Sequence, residues 1–241
     1  MERTVYFLSQ GQRIVANLCP PIAEGPILLM SHGLEGSKDG SKWQAMAAKA
    51  PAAGFGTLRF NYRGCGEGME ASEGEFPEST LTNRITDYRA AIEYIYSINT
   101  KNNMMGVIGS SFGGMVALAA EDIRVKAMVL LATPLHLSMD IEHGKTWGAQ
   151  TSVSPSLLEQ IHDDVKCYDL CKSIRKINCP ILILHGSEDG VVPVEHAYDL
   201  YRHANEPKHL HIVDGADHSF SNPVHVERII DLSITHLIKY L

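Results

Sequence analysis

The chain lacks an uninterrupted apolar stretch approaching the roughly 18 residues that a membrane span needs. Residues 1–8 also lack the long apolar region of a signal peptide. Cysteine is scarce, with five residues at irregular spacing, which favours reduced thiols over a disulfide framework. Positive charge is in deficit: the net charge of −7 argues against non-specific nucleic-acid binding and against adsorption to anionic membranes. These absences predict a cytoplasmic protein with no nucleic-acid or membrane partner.

Short apolar runs alternate with helical patterns along the 241 residues, without an internal repeat. A hairpin is expected first, from strands at 5–9 and 13–18. Buried strands are then expected at 27–30, 57–60, 104–109, 127–132, 181–185 and 208–213. Helices are expected at 41–53, 83–97, 196–203 and 224–241. This alternation predicts an α/β fold with a mostly parallel, twisted sheet of about eight strands and helices on both faces.

Residues 109–113, Gly-Ser-Ser-Phe-Gly, lie between a predicted strand and a predicted helix. Gly-x-Ser-x-Gly in that position is the pattern of a nucleophile elbow, a sharp turn that exposes the hydroxyl of the central serine, here Ser111. Side chains at Gly109 or Gly113 are expected to collide with the backbone around such a turn. The pattern also occurs by chance, so its meaning depends on the rest of the chain.

A serine nucleophile needs a base that takes its proton and a carboxylate that holds the base. In parallel sheets such groups converge at the carboxyl ends of strands. Asp189 follows the strand 181–185 and His218 follows the strand 208–213, in the order Ser, Asp, His expected for this elbow. Three rival carboxylates lie in the same loops: Glu188, Asp214 and Asp217. The last adjoins His218 and is poorly placed to reach the same imidazole.

With these motifs, residues 32–34 (His-Gly-Leu) and 61–66 (Asn-Tyr-Arg-Gly-Cys-Gly) make the chain resemble the α/β-hydrolase family along nearly its whole length. The size and the leading hairpin are most similar to small bacterial esterases of the cinnamoyl/feruloyl type. Serine aminopeptidase-like and lipase-like hydrolases are close behind. The resemblance implies an α/β-hydrolase fold and a serine hydrolase that cleaves carboxylic esters, with Ser111 as nucleophile, His218 as base and Asp189 as orienting acid.

The resemblance also implies an oxyanion hole made by the backbone N–H groups of Leu34 and Phe112. Phe112 would open the elbow helix, where first-turn N–H groups and the helix dipole favour negative charge. Small-molecule esters are the expected substrates, and no metal or organic cofactor is expected. Many relatives carry Asp where this chain has Asn61, which leaves the role of that position open.

Residues 134–179 are too long for a simple crossover between two buried strands. They are interpreted as a cap inserted into a core of residues 1–133 and 180–241, and Ser154-Pro155 predicts a helix start within it. The cap is expected to set specificity. Three of its apolar residues form either a small core of its own or the wall of an acyl pocket: Met139, Trp147 and Leu157.

A glycine-rich loop at residues 64–80 carries five glutamates and no basic residue after Gly64: Glu67, Glu70, Glu73, Glu75 and Glu78. They are either a solvated surface or a rim of the site. The second interpretation follows from the position of the loop after a strand's carboxyl end. Such a rim would disfavour anionic substrates such as acyl-CoA.

Other functions stay open. The same triad serves aminopeptidases, thioesterases and acyltransferases, and an aminopeptidase would need a cap carboxylate such as Glu142 or Glu159 aimed at the substrate amine. A binding module without turnover is the alternative of another class, which the intact Ser, Asp and His set disfavours.

Cys167, Cys171 and Cys179 are interpreted as thiols rather than zinc ligands, since no Cys-x-x-Cys or paired His supports a site. We expect a monomer or a homodimer.

Overall fold

The computed structural model of the chain describes residues 1–99, 102, 104–137, 139–140, 145–146 and 152–241. The strands in those residues are β1 Arg3–Ser9, β2 Gln12–Cys19, β3 Ile27–Ser31, β4 Gly56–Phe60, β5 Met105–Ser110, β6 Val125–Leu131, β7 Met139–Asp140, β8 Lys145–Thr146, β9 Ile181–Gly186 and β10 Lys208–Val213. The helices are α1 Ser41–Lys49, α2 Leu81–Ile98, α3 Phe112–Ala120, α4 Pro155–Val165, α5 Leu170–Lys176, α6 Glu195–His203 and α7 Pro223–Tyr240. Short 3-10 turns lie at Ile22–Glu24, Ala50–Ala53, Gly68–Glu70 and Phe76–Glu78.

Eight of the strands form one sheet, in the order β1-β2-β4-β3-β5-β6-β9-β10, while β7 and β8 pair only with each other. The pairs β1–β2 and β2–β4 are antiparallel, and every pair from β4 across to β10 is parallel. The predicted mostly parallel sheet of about eight strands is therefore confirmed. Because the parallel strands share one direction, the loops after β3, β4, β5, β6, β9 and β10 all open on the same edge.

The central strands are buried on both faces, which explains why they read as continuous apolar runs. Alternate side chains of one strand serve two different cores. In β3, Ile27 and Leu29 join the core beneath α2 and α3, whereas Leu28 and Met30 join the core beneath α1 and α7. The sheet is thus covered by helices on both faces.

The segment between β6 and β9 carries α4 and α5 among its described residues. Helix α4 begins at Pro155, and the Ser154 hydroxyl accepts a hydrogen bond from Leu157 N, as the sequence predicts for a helix start there. Helix α5 packs on α3 and α6 and buries Leu170 and Ile174 in their shared core. Helix α5 therefore acts as the crossover helix of the layer, and the cap boundaries 134–179 stay a prediction.

A buried ion pair ties the loop after β4 to helix α2. Arg63 Nη2 donates to Asp87 Oδ1 at 2.7 Å, and Arg63 N donates to Asp87 Oδ2 at 3.0 Å. The two side chains are only 5% and 0% exposed. A carboxylate buried to this degree is tolerated because the guanidinium and the backbone N–H satisfy both of its oxygens.

Substitution Asp87→Asn is expected to lower the free energy of unfolding by about 3–5 kcal/mol, because it leaves the Arg63 charge buried without an anion. Urea unfolding followed by circular dichroism measures this. The matched control is Glu93→Gln on the same helix, whose side chain is 68% exposed in its pair with Arg124. That exposed pair is worth at most about 1 kcal/mol. Equal losses in the two variants would contradict the assignment.

Candidate active site

Ser111 lies at the junction of β5 and α3 with a left-handed backbone, at φ 54° and ψ −123°. A non-glycine residue in this region is strained, and it persists here because Ser111 N donates to Leu131 O at 2.8 Å. The flanking glycines are required by close approach. A Cβ at Gly113 would lie 2.2 Å from Ser31 O, and one at Gly109 would lie 2.7 Å from the Cα of Gly114. The turn has the geometry of the elbow predicted from the pattern.

Three side chains from separate loops form one chain of hydrogen bonds. Ser111 Oγ lies 3.0 Å from His218 Nε2, and His218 Nδ1 lies 2.8 Å from Asp189 Oδ2. Ser111 follows β5, Asp189 follows β9 and His218 follows β10, so the shared edge of the sheet brings them together. With the Nδ1 proton donated to the carboxylate, Nε2 is left to accept the serine hydroxyl proton.

The carboxylate of Asp189 is fully buried and accepts several hydrogen bonds. Its Oδ1 accepts from the backbone N–H of Val191 and of Val192, at 2.9 and 2.8 Å. On the other oxygen, His185 Nε2 lies 3.2 Å from Oδ2 in addition to His218. Burial alone would raise the pKa of Asp189, but these hydrogen bonds hold it well below its ordinary value. The group is therefore ionised in the neutral pH range.

The rival carboxylates have other surroundings. Glu188 is exposed, and Asp214 Oδ1 lies 3.4 Å from Ser187 Oγ. Asp217 accepts hydrogen bonds from the backbone and the hydroxyl of Ser221 in the following turn. Of the four carboxylates in these loops, Asp189 is the one that contacts the imidazole of His218.

The loop after β3 lies directly beside Ser111. A Cβ at Gly33 would be 3.4 Å from the Cβ of Ser111, so glycine permits the approach. His32 holds this loop by two hydrogen bonds: Tyr62 N donates to its Nε2 at 3.3 Å, and its Nδ1 donates to Gly33 O at 2.7 Å. Burial, reinforced by the nearby charge of Arg84, lowers the pKa of His32 to about 3. The ring is therefore neutral, with its proton on Nδ1.

Arg84 contacts the same loop and was not predicted from the sequence. Its guanidinium, on a fully buried side chain of α2, donates from Nη1 to Gly33 O at 3.0 Å and from Nη2 to Leu34 O at 2.7 Å. The available signal was its spacing: position 84 falls on the apolar stripe of α2 between Leu81 and Tyr88, where a charged residue is unusual.

Lys42 of α1 is a second polar group that was not predicted. Its Nζ donates to Ser110 Oγ at 2.8 Å and lies over the ring of Phe220. Burial lowers the pKa of Lys42 to about 8, against the opposing effects of Asp217 and Asp189. The Ser110 hydroxyl is therefore bonded to Lys42 and not to the imidazole of His218.

Asn61, where many relatives carry Asp, uses both ends of its amide. Its Oδ1 accepts from Lys38 N at 2.7 Å, and its Nδ2 donates to Glu70 O at 2.7 Å. An ionised Asp could accept the first bond but could not donate the second. The amide therefore joins the loop after β3 to the loop after β4.

A cavity of about 780 Å³ lies between the loops after β3 and β4 and the described part of the predicted cap. Its apolar wall includes Phe76, Val153 and Leu157. Four carboxylates also line it: Glu35, Asp39, Glu67 and Glu70. Glu35 further joins the loop to the cap segment, because its Oε1 accepts from Ser152 N at 2.9 Å.

Four of the five glutamates of residues 64–80 divide into two groups. Glu67 and Glu70 line the cavity, and Glu70 pairs with the buried Lys38 at 2.8 Å. Glu73 and Glu78 face the β1–β2 hairpin instead, where Glu73 accepts from Arg13 N and Glu78 accepts from Gln12 Nε2. The single rim considered from the sequence is thus only partly present, since the loop turns two of its carboxylates away from the cavity.

Several predicted residues fall outside what the structure describes. Glu142 and Trp147 lie outside the described residues, as does the side chain of Met139. Glu159 is exposed on α4 and does not line the cavity, whereas Leu157 does. In the described part of the chain no group of three His, Cys, Asp or Glu residues could hold a metal ion, and no helix there is long and apolar enough to cross a membrane.

Two protein-family descriptions match the chain. The description "alpha/beta hydrolase fold" matches residues 26–166, which is more than half of the sequence. The description "Serine aminopeptidase, S33" matches residues 150–223.

Curated and solved relatives are distant. The human protein named palmitoyl-protein thioesterase ABHD10, mitochondrial, is 25% identical over 189 residues, which covers 70% of this chain and 59% of that protein. The chain thus spans about three fifths of the length of the curated relatives it matches. Est1E from Butyrivibrio proteoclasticus, solved with ferulic acid, is 20% identical with a TM-score of 0.81 and 98% coverage of both chains. The esterase domain of a Rhodothermus marinus protein is 22% identical with a TM-score of 0.73, covering 100% of this chain and 99% of that one.

Substitution Gly113→Ala is expected to lower the free energy of unfolding by at least about 2 kcal/mol, because its methyl group would overlap Ser31 O and force the elbow apart. Urea denaturation measures the loss. Gly190→Ala is the matched control, since a Cβ there meets nothing within 4 Å. If Gly113→Ala were as stable as Gly190→Ala, close approach would not be the reason for glycine at position 113.

Proposed function

The chain belongs to the alpha/beta hydrolase fold family, and we propose that it is a serine hydrolase that cleaves carboxylic esters through an acyl-enzyme on Ser111. The observation that carries the proposal is the continuous hydrogen-bond chain from Ser111 Oγ through His218 to Asp189, with contacts of 3.0 and 2.8 Å. A serine hydroxyl becomes a nucleophile when a neighbouring base accepts its proton, and this arrangement supplies that base.

In the proposed reaction Ser111 Oγ attacks the ester carbonyl while its proton passes to His218 Nε2. The buried carboxylate of Asp189 keeps the imidazole proton on Nδ1 and stabilises the imidazolium that forms. Asp189 suits this role because its hydrogen bonds keep it ionised. His185 and the backbone of Val191 and Val192 hold the carboxylate in place for the transfer.

The tetrahedral intermediate carries a negative oxygen, which we assign to the backbone N–H groups of Leu34 and Phe112. Phe112 opens α3, at the end of the helix where the helix dipole favours negative charge. No described residue accepts a hydrogen bond from Leu34 N. His218 then returns its proton to the leaving alcohol, and water attacks the acyl-enzyme by the reverse route.

We infer the substrate class from the cavity beside the Leu34 loop, whose lining includes Glu35, Gly36 and Ser37 but not Ser111 or His218. Phe76, Val153 and Leu157 offer apolar contact to a small ester. The carboxylates at its walls, two of which share the Lys38 cation, outnumber that cation and disfavour an anionic ester. A feruloyl or cinnamoyl ester is a candidate, supported by the structural likeness to Est1E. We therefore propose a neutral or cationic ester as substrate, and no metal or organic cofactor is needed for these steps.

A thioesterase reaction is the second candidate, because the curated human relative is named a thioesterase and the same acyl-enzyme forms from either substrate. The partial match to serine aminopeptidases has less support in the site, since Glu159 is exposed outside the cavity. A binding module without turnover would have no need for a buried Asp189 aligned with His218. A cytoplasmic location and a monomeric or homodimeric state stay predictions.

An active-site-directed fluorophosphonate is expected to label the folded wild-type chain and to give no label with Ser111→Ala, because the reagent needs an activated serine. Gel fluorescence and peptide mapping measure the label. Ser110→Ala is the matched control: its hydroxyl is bonded to Lys42 rather than His218, so labelling should persist. An unlabelled folded wild type, or equal labelling of Ser111→Ala, would exclude the serine hydrolase proposal.

Two thioesters with one acyl group and opposite charge test the substrate class. We expect kcat/KM for S-butyrylthiocholine to exceed that for butyryl-CoA by at least about tenfold at low ionic strength, with the ratio falling as salt is added. A nitrophenyl butyrate assay reports the neutral ester in parallel.

Glu67→Gln should reduce this ratio, because Glu67 lines the cavity. Glu73→Gln is the control and should leave it unchanged, because Glu73 faces Arg13 instead. Preference for butyryl-CoA, or equal effects of the two substitutions, would contradict an electrostatic role of the cavity walls.

A further inference from the structure

Arg84 is a buried cation without a buried anion. Its side chain is fully inaccessible, and its guanidinium carbon lies 4.7 Å from the ring centre of Tyr62 and 5.2 Å from that of Phe112. None of the described carboxylates forms an ion pair with it. Its acceptors are all uncharged groups: Ser79 O, Ser79 Oγ, Gly33 O, Leu34 O and Cys65 Sγ.

A second arginine in the same region of the fold, Arg63, is buried together with a carboxylate. Arg63 forms an ion pair with the carboxylate of Asp87, with Nη2 and Oδ1 2.7 Å apart. Removing a charge from water is costly, and a carboxylate is the usual compensation. Arg84 has no such carboxylate. Its N–H donors instead bind the backbone of the loop beside Ser111, and this contact explains its place in the core.

The planarity of the peptide bond turns this contact into a directional one. In the trans peptide between Gly33 and Leu34, the carbonyl of Gly33 and the N–H of Leu34 point in opposite directions. Three donors fix the Gly33 carbonyl: Arg84 Nη1, His32 Nδ1 and Gly36 N, at 3.0, 2.7 and 3.2 Å. With that oxygen held on the Arg84 side, the Leu34 N–H must point away from Arg84.

We propose that Arg84 is the positioning residue of the oxyanion hole, an inference that rests on the proposed function. It fixes the orientation of the Leu34 N–H through the carbonyls of Gly33 and Leu34. Its charge, behind the ring of Phe112 and screened from solvent, also adds positive potential where the oxyanion develops. His32 is neutral and adds no charge beside Arg84 at the loop.

The test compares Arg84→Met and Arg84→Lys with Arg89→Met. Arg89 is the matched control, an arginine of the same helix that donates to Ala120 O, away from the loop. Two quantities are measured on folded protein: kcat and KM for nitrophenyl butyrate, and the inhibition constant of an alkyl trifluoromethyl ketone. The serine oxygen adds to the carbonyl carbon of that ketone while its proton passes to His218, so the former carbonyl oxygen becomes an oxyanion in the same hole.

We expect Arg84→Met to lower kcat by about 100-fold, the typical loss of one oxyanion donor, with KM changed less than about threefold. The inhibition constant should rise in proportion to the loss of kcat, since both report the charged tetrahedral state. Arg84→Lys keeps the charge but replaces the rigid planar fork with a compact ammonium group, so it should fall between wild type and Arg84→Met. Arg89→Met should leave both quantities unchanged. If Arg84→Met does not fold, the Arg84→Lys variant alone carries the test.

The inference is overturned if kcat and inhibitor affinity in the folded Arg84 variants stay within threefold of wild type. It is also overturned if kcat falls while inhibitor affinity does not. Failure of the proposed function is a separate result, recognised by a wild-type chain that no fluorophosphonate labels. A labelled, active wild type with unaffected Arg84 variants would remove the role of Arg84 and leave the serine hydrolase proposal intact.

Discussion

The left-handed backbone of Ser111 is the constraint on which the arrangement of the site depends. It turns the chain from β5 into α3 within one residue, and it brings Gly113 so close to Ser31 that no side chain fits between them. The end of β3 and the start of α3 therefore lie against each other. The oxyanion hole proposed for the backbone N–H groups of Phe112 and Leu34 depends on that contact. The strained residue thus determines where neighbouring loops can lie.

Two arginines near α2 show how the fold uses buried charge. Arg63 is neutralised by Asp87, so its contribution is to the stability of the loop after β4. Arg84 is surrounded by carbonyls, a thiol and aromatic rings, so its charge stays available to the loop beside Ser111. A buried ion pair contributes little external field, whereas a buried unpaired cation acts on any charge that develops nearby. Stability and the proposed catalysis thus use the same residue type in different surroundings.

Much of the site could be predicted from the sequence because parallel strands end at one edge. Asp189 and His218 each follow a strand, so chain order and spacing were enough to bring them to Ser111. The proposed role of Arg84 could not be predicted in this way, because its partners are backbone carbonyls about fifty positions away. Every residue has a backbone carbonyl, so residue types do not indicate which one an arginine will contact. The separation of Glu67 from Glu73 depends on the path of a glycine-rich loop, which residue types alone do not specify.

In the proposed reaction an acyl group is carried by Ser111, and His218 and Asp189 serve its transfer. Rapid acid quench of the enzyme during turnover of nitrophenyl butyrate, followed by peptide mapping by mass spectrometry, tests it most directly. We expect a butyryl group on Ser111 in the wild-type chain within the first turnover, and none on any residue in Ser111→Ala. Turnover without acylation of Ser111, or acylation of a different residue at the same rate, would contradict it.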